Sequence, residues 1–536
     1  MISVMRLKNL VKGKILGINH LFSLDFNSIR IKSYYKSEFK FDNTRKSIIL
    51  IEAFQPPSNE LASLHFIAEY SANRHVTPVA YYMLSTSFLK GLLIRCRYRF
   101  SPMRAAGVKE FILLNPNRKK RIEFYSIATD KLKGLNNLQD FEKLTIENVD
   151  IGDIFYDQFL RDYNYPTIKL GDTKLITLLC DFLFYFAKFT DIFRNRDVEA
   201  LLISHYAYRW AIPARIGLRE DLNIFQINGE SAYRILDEVS IPYSDFRKYP
   251  EIFSNLPIDV QQNGLFKAKE RLERRFGGEV GIDMAYSNKS AYSVTLNSNR
   301  KLLANTNKIK VLIAVHDFYD SPHSYGWNFH EDMLTWLLDL DEISKSVNYE
   351  WYIKTHPEIL GDGKNILDEF VSKNSRFKLL PPEASHHQII SEGINFALTV
   401  FGTIASEYPY LGVPVINASL NNPHSGYSFS VTPKSLSEYR QILYSLDKFK
   451  FLISKDEILE YYFMHKIFQV KSLLFRNYEI YLDEVGGYAA SMSTEAYRVF
   501  IESSNRRDTN ELKTAFRNFI DSREQRLYPW HFKLQM

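Results

Sequence analysis

Short apolar runs rich in β-branched residues alternate along most of the chain with stretches of helical spacing, the signature of parallel α/β sheets. The second half shows it most cleanly. Lys310–Val315 (KVLIAV) predicts a buried strand, and an irregular loop His316–Asn328 follows. Met333, Trp336, Leu337, Leu340, Ile343 and Val347 then recur at helical spacing over Glu331–Val347. Strands are predicted at Glu350–Lys354, Phe377–Leu380, Phe396–Val400 and Val413–Asn417, with helices at Asn365–Ser372 and Ser385–Glu392. Phe401-Gly402-Thr403 reads as a tight turn opening a helix through about Leu411.

The first half repeats the pattern more loosely. Strands are predicted at Ser47–Ile51, Val79–Met83, Phe111–Leu114, Ala200–Ser204 and Leu222–Ile227, with helices at Asn59–Asn73 and Ala207–Arg219. A stretch from about Gly277 to Lys308, rich in Gly, Ser and Asn, has no clear period and marks a boundary. From Glu457 the chain reads as helical, ending in Thr494–Ile520 and an aromatic tail (Tyr528, Trp530, Phe532). The expectation is therefore α/β: two Rossmann-like lobes, residues 1–280 and 309–450, a linker at 281–308 and a helical extension over 451–536.

Composition narrows the class. With 536 residues, 45% of them hydrophobic and 24% charged, the chain can bury two sizeable cores. A formal charge of +6 is too small for a nucleic-acid coat, so no nucleic-acid partner is expected, while anionic substrates or an anionic membrane surface are favoured. Cys96 and Cys180 are the only cysteines, which excludes a disulfide framework or a cysteine zinc site. The basic N-terminus is interrupted by Lys8, Lys12 and Lys14 and lacks a small-residue cleavage site, so no signal peptide is expected. Leu175–Phe189 is too short for a membrane span and contains Asp181; it predicts a buried helix. A cytoplasmic location follows as an expectation. Lys90, Arg95, Arg97, Arg99 and Arg104 cluster within 88–104, as either a peripheral inner-membrane contact or a basic wall of the acceptor cleft.

In open parallel sheets, ligands sit beyond the carboxyl ends of the strands. Those ends carry His316, Asp320 and His323; Lys354, then His356, Pro357 and Glu358; Gly402, Thr403, Ser406 and Glu407; and Asn422 with His424. Gly402-Thr403 at a strand-to-helix turn offers backbone N–H groups to an anion; the plainer reading makes Thr403 an ordinary N-cap. Glu407, one turn on, suits a ribose hydroxyl or simply a first-turn carboxylate. Pro357 keeps His356 out of a helix, where it could hydrogen-bond a phosphate. HDFYDSPH has no specific metal spacing, so hydrogen bonding to substrate ranks above a metal site and none is expected; nor is any cofactor. The motifs GxxxxGK[ST], GxGxxG, GxSxG and HExxH are absent, which removes support for ATP hydrolysis, hydride transfer, serine hydrolysis and zinc proteolysis.

The first half offers carboxylates without an unambiguous one. Asp153, Asp157 and Arg161 fall together in IGDIFYDQFLR; His205 and Glu230 stand at strand ends; Glu52 and Gln55 follow the first strand. Glu52, Asp153, Asp157 and Glu230 are candidate bases or nucleophiles, and Arg161 and Arg215 candidate anion binders. A salt bridge, a cap or a solvated helix face is the alternative for each.

The HPE after a strand and TVFGTIASEYPYLGVPVINA resemble bacterial GT-B glycosyltransferases of capsule and lipopolysaccharide synthesis, in the neighbourhood of Kdo transferases and polysialyltransferases. GDIFYDQFLR, ISHYAY, PARIGLRE, HDFYDSPH and NNPHSGYSF are similar to motifs of that group, over roughly residues 150–440. The resemblance implies a nucleotide-sugar donor, CMP-linked above all, in the C-terminal lobe and a lipid-linked or oligosaccharide acceptor in the N-terminal lobe. It implies His356 on the phosphate, Gly402, Thr403 and Ser406 on phosphate or base, and Glu407 on the ribose. Asp157 and Glu230 then lead the catalytic carboxylates, with Glu52 behind them, and catalysis needs no metal. The alternatives are a CDP-glycerol polyol-phosphate transferase, a nucleotide-sugar 2-epimerase of the same architecture, or a non-catalytic glycan-binding subunit.

Overall fold

A computed structural model describes residues 26–38, 46–84, 88–98, 101–236, 244–283, 290–292, 301–326, 328–355 and 362–532. Its frame is two sheets. The N-terminal sheet comprises β1 (Ile48–Glu52), β2 (Thr77–Met83), β3 (Glu110–Leu114), β6 (Val198–Ile203), β7 (Asn223–Ile227) and β8 (Ala232–Ile235), in the order β3-β2-β1-β6-β7-β8. Only the β7–β8 pairing in it is antiparallel. A small hairpin, β4 (Thr145–Ile146) and β5 (Val149–Asp150), stands apart from it. The C-terminal sheet is wholly parallel: β9 (Lys310–Ala314), β10 (Glu350–Lys354), β11 (Phe377–Leu379), β12 (Phe396–Thr399) and β13 (Val415–Asn417), ordered β11-β10-β9-β12-β13. The expected α/β fold of two Rossmann-like lobes is present.

Burial explains why these runs are strands. Every residue of β1 is buried, and alternate ones feed opposite cores: Ile49 and Ile51 join Leu61, Phe66 and Phe225, whereas Ile48 and Leu50 join Phe155, Phe182 and Phe189. The apolar run at Leu175–Phe189 lies inside the helix Thr173–Asn195, packed in the second of these cores. Its Asp181 takes a bidentate contact from Arg121 at 2.6 and 2.8 Å. Among the described residues no helix is long and apolar enough to cross a membrane.

Two helices differ from the sequence pattern. Ala207–Arg219 is a tight turn at Tyr208–Ala211 followed by the helix Ile212–Arg219, because Pro213 lacks an N–H and sits in a first turn. Thr494–Ile520 divides into Glu495–Glu502 and Thr509–Asp521; the Asp508 carboxylate accepts from the N–H groups of Asn510 and Glu511 and starts the second helix anew.

The extension returns to the first lobe. Leu512, Phe516 and Phe519 share a core with Leu61 and Phe66 of the helix Pro57–Arg74. Backbone bonds run from Leu473 N–H to the Gly229 carbonyl (3.0 Å) and from Leu527 N–H to that of Ala232 (2.9 Å). Against the second lobe, Ile458, Tyr461 and Phe463 pack with Phe429 and with Leu272 of the helix Ile258–Phe276.

Candidate active site

Both sheets reverse direction once. The reversal lies between β1 and β6 in the first lobe and between β9 and β12 in the second. At such a point neighbouring crossovers leave on opposite faces and open a crevice beyond the strand ends. A cavity occupies each one.

The C-terminal cavity is walled by His316 after β9, Lys354 and Thr355 at the end of β10, and Thr399, Gly402 and Thr403 after β12. Gly402 approaches its neighbours too closely for any other residue: a Cβ there would lie 2.7 Å from Thr399 Oγ1 and 3.1 Å from His316 Nε2. Thr399 Oγ1 receives the Gly402 N–H (3.1 Å) and contacts His316 Nε2 (3.2 Å), while Phe401 lies against the imidazole with ring centroids 4.5 Å apart. Thr403 precedes the helix Ile404–Tyr410, and its hydroxyl makes no capping bond. Lys354 Nζ donates to the carbonyl of Pro382 (2.7 Å); burial pushes its pKa down to about 8. Among the described residues no carboxylate stands within ion-pair distance of it.

Glu407 also lines this cavity, with its carboxylate already engaged. Arg275 Nε donates to Oε1 and the Tyr292 hydroxyl to Oε2, both at 2.7 Å. The 281–308 segment, expected as a linker, contributes Gly281, Ser290 and Ala291 to the wall. His386 completes it, held uncharged by burial and the nearby Lys354, its pKa near 3.

The N-terminal cavity is bounded by His205 after β6, by Asn228, Gly229 and Glu230 after β7, and by Tyr478 and Phe475 of the extension. Behind it, Glu52 at the end of β1 is buried and accepts from both the backbone N–H (2.7 Å) and the hydroxyl (2.9 Å) of Ser204. Burial raises Glu52 to about 7, with the Ser204 bonds opposing. Ser204 Oγ lies 3.1 Å from His205 Nδ1. A hydroxyl that donates to Glu52 is an acceptor towards Nδ1–H, which leaves His205 Nε2 unprotonated. Burial and then Arg161 lower the His205 pKa, favouring that neutral ring. Glu230 reaches solvent but is crowded by protein, which raises its pKa against the hydrogen bond it accepts from Tyr478 (2.8 Å).

Other candidate residues lie elsewhere. Asp157, His323, Asp320 and Arg161 meet across the two lobes. His323 Nδ1 is 2.6 Å from Asp157 Oδ1, its Nε2 is 2.9 Å from Glu142 Oε1, and Ser321 Oγ donates to Asp157 Oδ2 (2.8 Å). Asp320 pairs with Arg161 (3.2 Å) and accepts from the Tyr208 hydroxyl (2.8 Å). Arg215 is buried and Asp153 half-buried, and the two pair through bonds of 2.7 and 2.6 Å. Gln55 donates to the Glu52 carbonyl, and the Ser406 hydroxyl to that of Thr403. Asn422 is fully buried; His424 packs on Phe429 and Tyr461. His356, Pro357 and Glu358 lie outside the described residues, as do the side chains of Lys90 and Arg97. Sequence reasoning passed over Arg275 and Tyr292, whose helix and boundary segment carry no motif; the bond from Ser204 to Glu52, 152 positions apart, leaves no local signal either.

No protein-family profile and no curated protein matches the sequence. Solved structures similar to the chain include the UDP-GlcNAc 2-epimerase of Neisseria meningitidis bound to UDP-GlcNAc, at 12% identity, 78% of this chain, 97% of that one and a TM-score of 0.20. Anabaena HepE in complex with UDP follows at 10% identity, 78% and 94% coverage and a TM-score of 0.21. The wall teichoic acid polymerase TagF stands at 10% identity, 97% and 100% coverage and a TM-score of 0.19. At TM-scores this low none of these likenesses speaks to the chemistry of the chain.

Proposed function

We propose that this chain is a GT-B glycosyltransferase that moves a sugar, an acidic one such as Kdo or another ulosonic acid carried by CMP, onto a bacterial surface glycan. The observation that carries the reading is the pair of cavities at the two switch points, with a third cavity that shares the lining residue Gly281 with one and Asn228, Glu230, Tyr478 and Tyr488 with the other. A donor held at one sheet mouth can thus meet an acceptor held at the other.

In this reading the nucleotide lies over the turn at Gly402 and Thr403, whose close packing against Thr399 and His316 only a glycine allows. Lys354 and His316 supply positive charge and hydrogen bonds as negative charge builds on the departing phosphate, and His356 is assigned the same task. Glu407, tied to Arg275 and Tyr292, holds the far wall with whatever acceptor capacity remains for a ribose hydroxyl. On the opposite side His205 Nε2 takes the acceptor's hydroxyl proton, Ser204 passes the effect to Glu52, and Glu230 orients the acceptor. Asp157 serves to hold the lobes together through His323, not to attack the sugar.

The test is a thermal-shift screen against CMP, CDP, UDP, GDP and ADP, with His356→Ala and Lys354→Met alongside. A ligand at 100 times its dissociation constant stabilises by about 2.7 kcal/mol. A response to cytidine nucleotides, lost in both variants, supports the reading. A response to UDP alone replaces the donor, consumption of donor without acceptor replaces transfer by epimerisation or hydrolysis, and silence towards every nucleotide overturns the proposal.

A further inference from the structure

The third cavity has a chemistry of its own. Arg271, Asp283, Lys466, Lys471, Glu479 and Arg526 bound it between the nucleotide cavity and the acceptor cavity. Most of these charges are already matched. Arg271 Nε lies 3.1 Å from Asp283 Oδ1 and its Nη1 3.6 Å from Glu479. Arg526 lies 3.5 Å from Asp245. Asp283 also takes the Tyr462 hydroxyl at 2.7 Å and stands 3.6 Å from Arg275.

Lys466 and Lys471 are left over. Among the described residues neither ammonium has a carboxylate within ion-pair distance, and the 17 residues 284–300 that follow Asp283 contain no Asp or Glu. Burial lowers both lysines, Lys471 to about 8; Arg271 adds to the lowering of each, and Asp283 opposes it from beyond ion-pair distance. Half-buried cations are ordinarily paired, because desolvation without a counter-charge is costly. Two of them facing one cavity make a complementary surface for an anion.

The backbone that presents them is also unusual. Phe463–Ile467 is a π-helical turn, with Phe468 N–H bonded to the Phe463 carbonyl at 2.8 Å. Such turns are costly in regular helices and cluster at functional sites. This one is wedged in place: a Cβ on Gly264 would lie 2.6 Å from the Phe463 ring, so the helix Ile258–Phe276 admits the turn only at a glycine.

We propose that this chamber binds a phosphate or carboxylate group of the substrate at the junction of donor and acceptor, with Lys466 and Lys471 as its cationic contacts. Its place at a reaction junction rests on the transferase reading; its binding of an anion does not. The shared chemistry has two sources, an acidic group on the sugar being transferred or an anionic group on the acceptor.

The experiment is a thermal-shift titration with inorganic phosphate against a chloride control of equal ionic strength, with and without saturating CMP, on the full chain. Wild type is expected to respond, and Lys466→Met/Lys471→Met to bind phosphate at least ten-fold more weakly while keeping its response to CMP. Lys471→Met alone, expected to weaken phosphate part-way, keeps the test intact if the double variant does not fold. A CMP-linked carboxylated sugar that binds tighter than CMP to wild type, but equally to the double variant, assigns the anion to the donor; equal affinities in wild type assign it to the acceptor. No phosphate response in wild type, or an unchanged one in the variants, overturns the chamber whatever CMP does. A lysine-dependent phosphate response in a chain that binds no nucleotide supports the chamber and sinks the donor site.

Discussion

His323 of the C-terminal lobe places its Nδ1 2.6 Å from Oδ1 of Asp157 in the N-terminal lobe, and both side chains are almost fully buried (2% and 3% exposed). Burial opposes charge on His323, but the carboxylates of Asp157 and Glu142 hold its pKa well above the ordinary histidine value. Around this pair Tyr156 donates to Asp332 at 2.6 Å and Gln139 to Glu331. The loop after β9 is therefore a polar buckle between the lobes, and removing one partner strands the other charge in a dry place.

Asp157→Asn is expected to lower stability by about 3 kcal/mol, the low end for breaking a buried ion pair. A fall in the denaturant midpoint, with nucleotide affinity largely retained, is the outcome that fits a buckle. Unchanged stability with abolished transfer would return Asp157 to the chemistry.

Glu52 gives a pH dependence with a definite sign. Its folded pKa of about 7 exceeds the ordinary 4.5, so the unfolded chain loses its proton first as pH rises. The contribution is therefore complete below pH 4.5 and lost as pH climbs through 7, a change of about 3 kcal/mol. Glu52→Gln does not titrate there. Denaturation at pH 5 and pH 8 should find the variant gaining on wild type at the higher pH; a constant difference would refute the raised pKa.

Gly402→Ala tests the nucleotide cavity by volume. The added Cβ must displace Thr399 Oγ1 or His316, so nucleotide affinity is expected to fall by ten-fold or more while stability drops by about 1–3 kcal/mol. Nucleotide affinity equal to wild type would remove Gly402 from the site.

His205→Ala is expected to slow transfer by about 10²–10⁴-fold with little change in donor affinity, as for loss of a general base. Ser204→Ala breaks the link to Glu52 and is expected to move the acidic limb of the kcat–pH profile without abolishing turnover. Equal profiles for Ser204→Ala and wild type would mean that the serine only supports β1.

What the sequence alone determined is what depends on near neighbours. The apolar runs of β1, β9, β10 and β12 name themselves as strands because a buried strand needs continuous hydrophobicity, and the residues beyond their ends follow directly: His316, Lys354, Gly402 and Thr403 do share a cavity. Asp153, Asp157, His323 and Arg215 were legible as charged motif residues but not as partners, because each pair is joined across 62 to 166 positions by the packing of separate elements. Strand order, which puts β1 beside β6 and β9 beside β12, is likewise a long-range choice, and it decides where the crevices open. The tertiary structure alone decided which charges are neutralised. Arg271 and Arg215 are matched by carboxylates while Lys466 and Lys471 have none within ion-pair distance among the described residues, although a lysine or arginine looks the same in a sequence whether or not a distant aspartate folds against it.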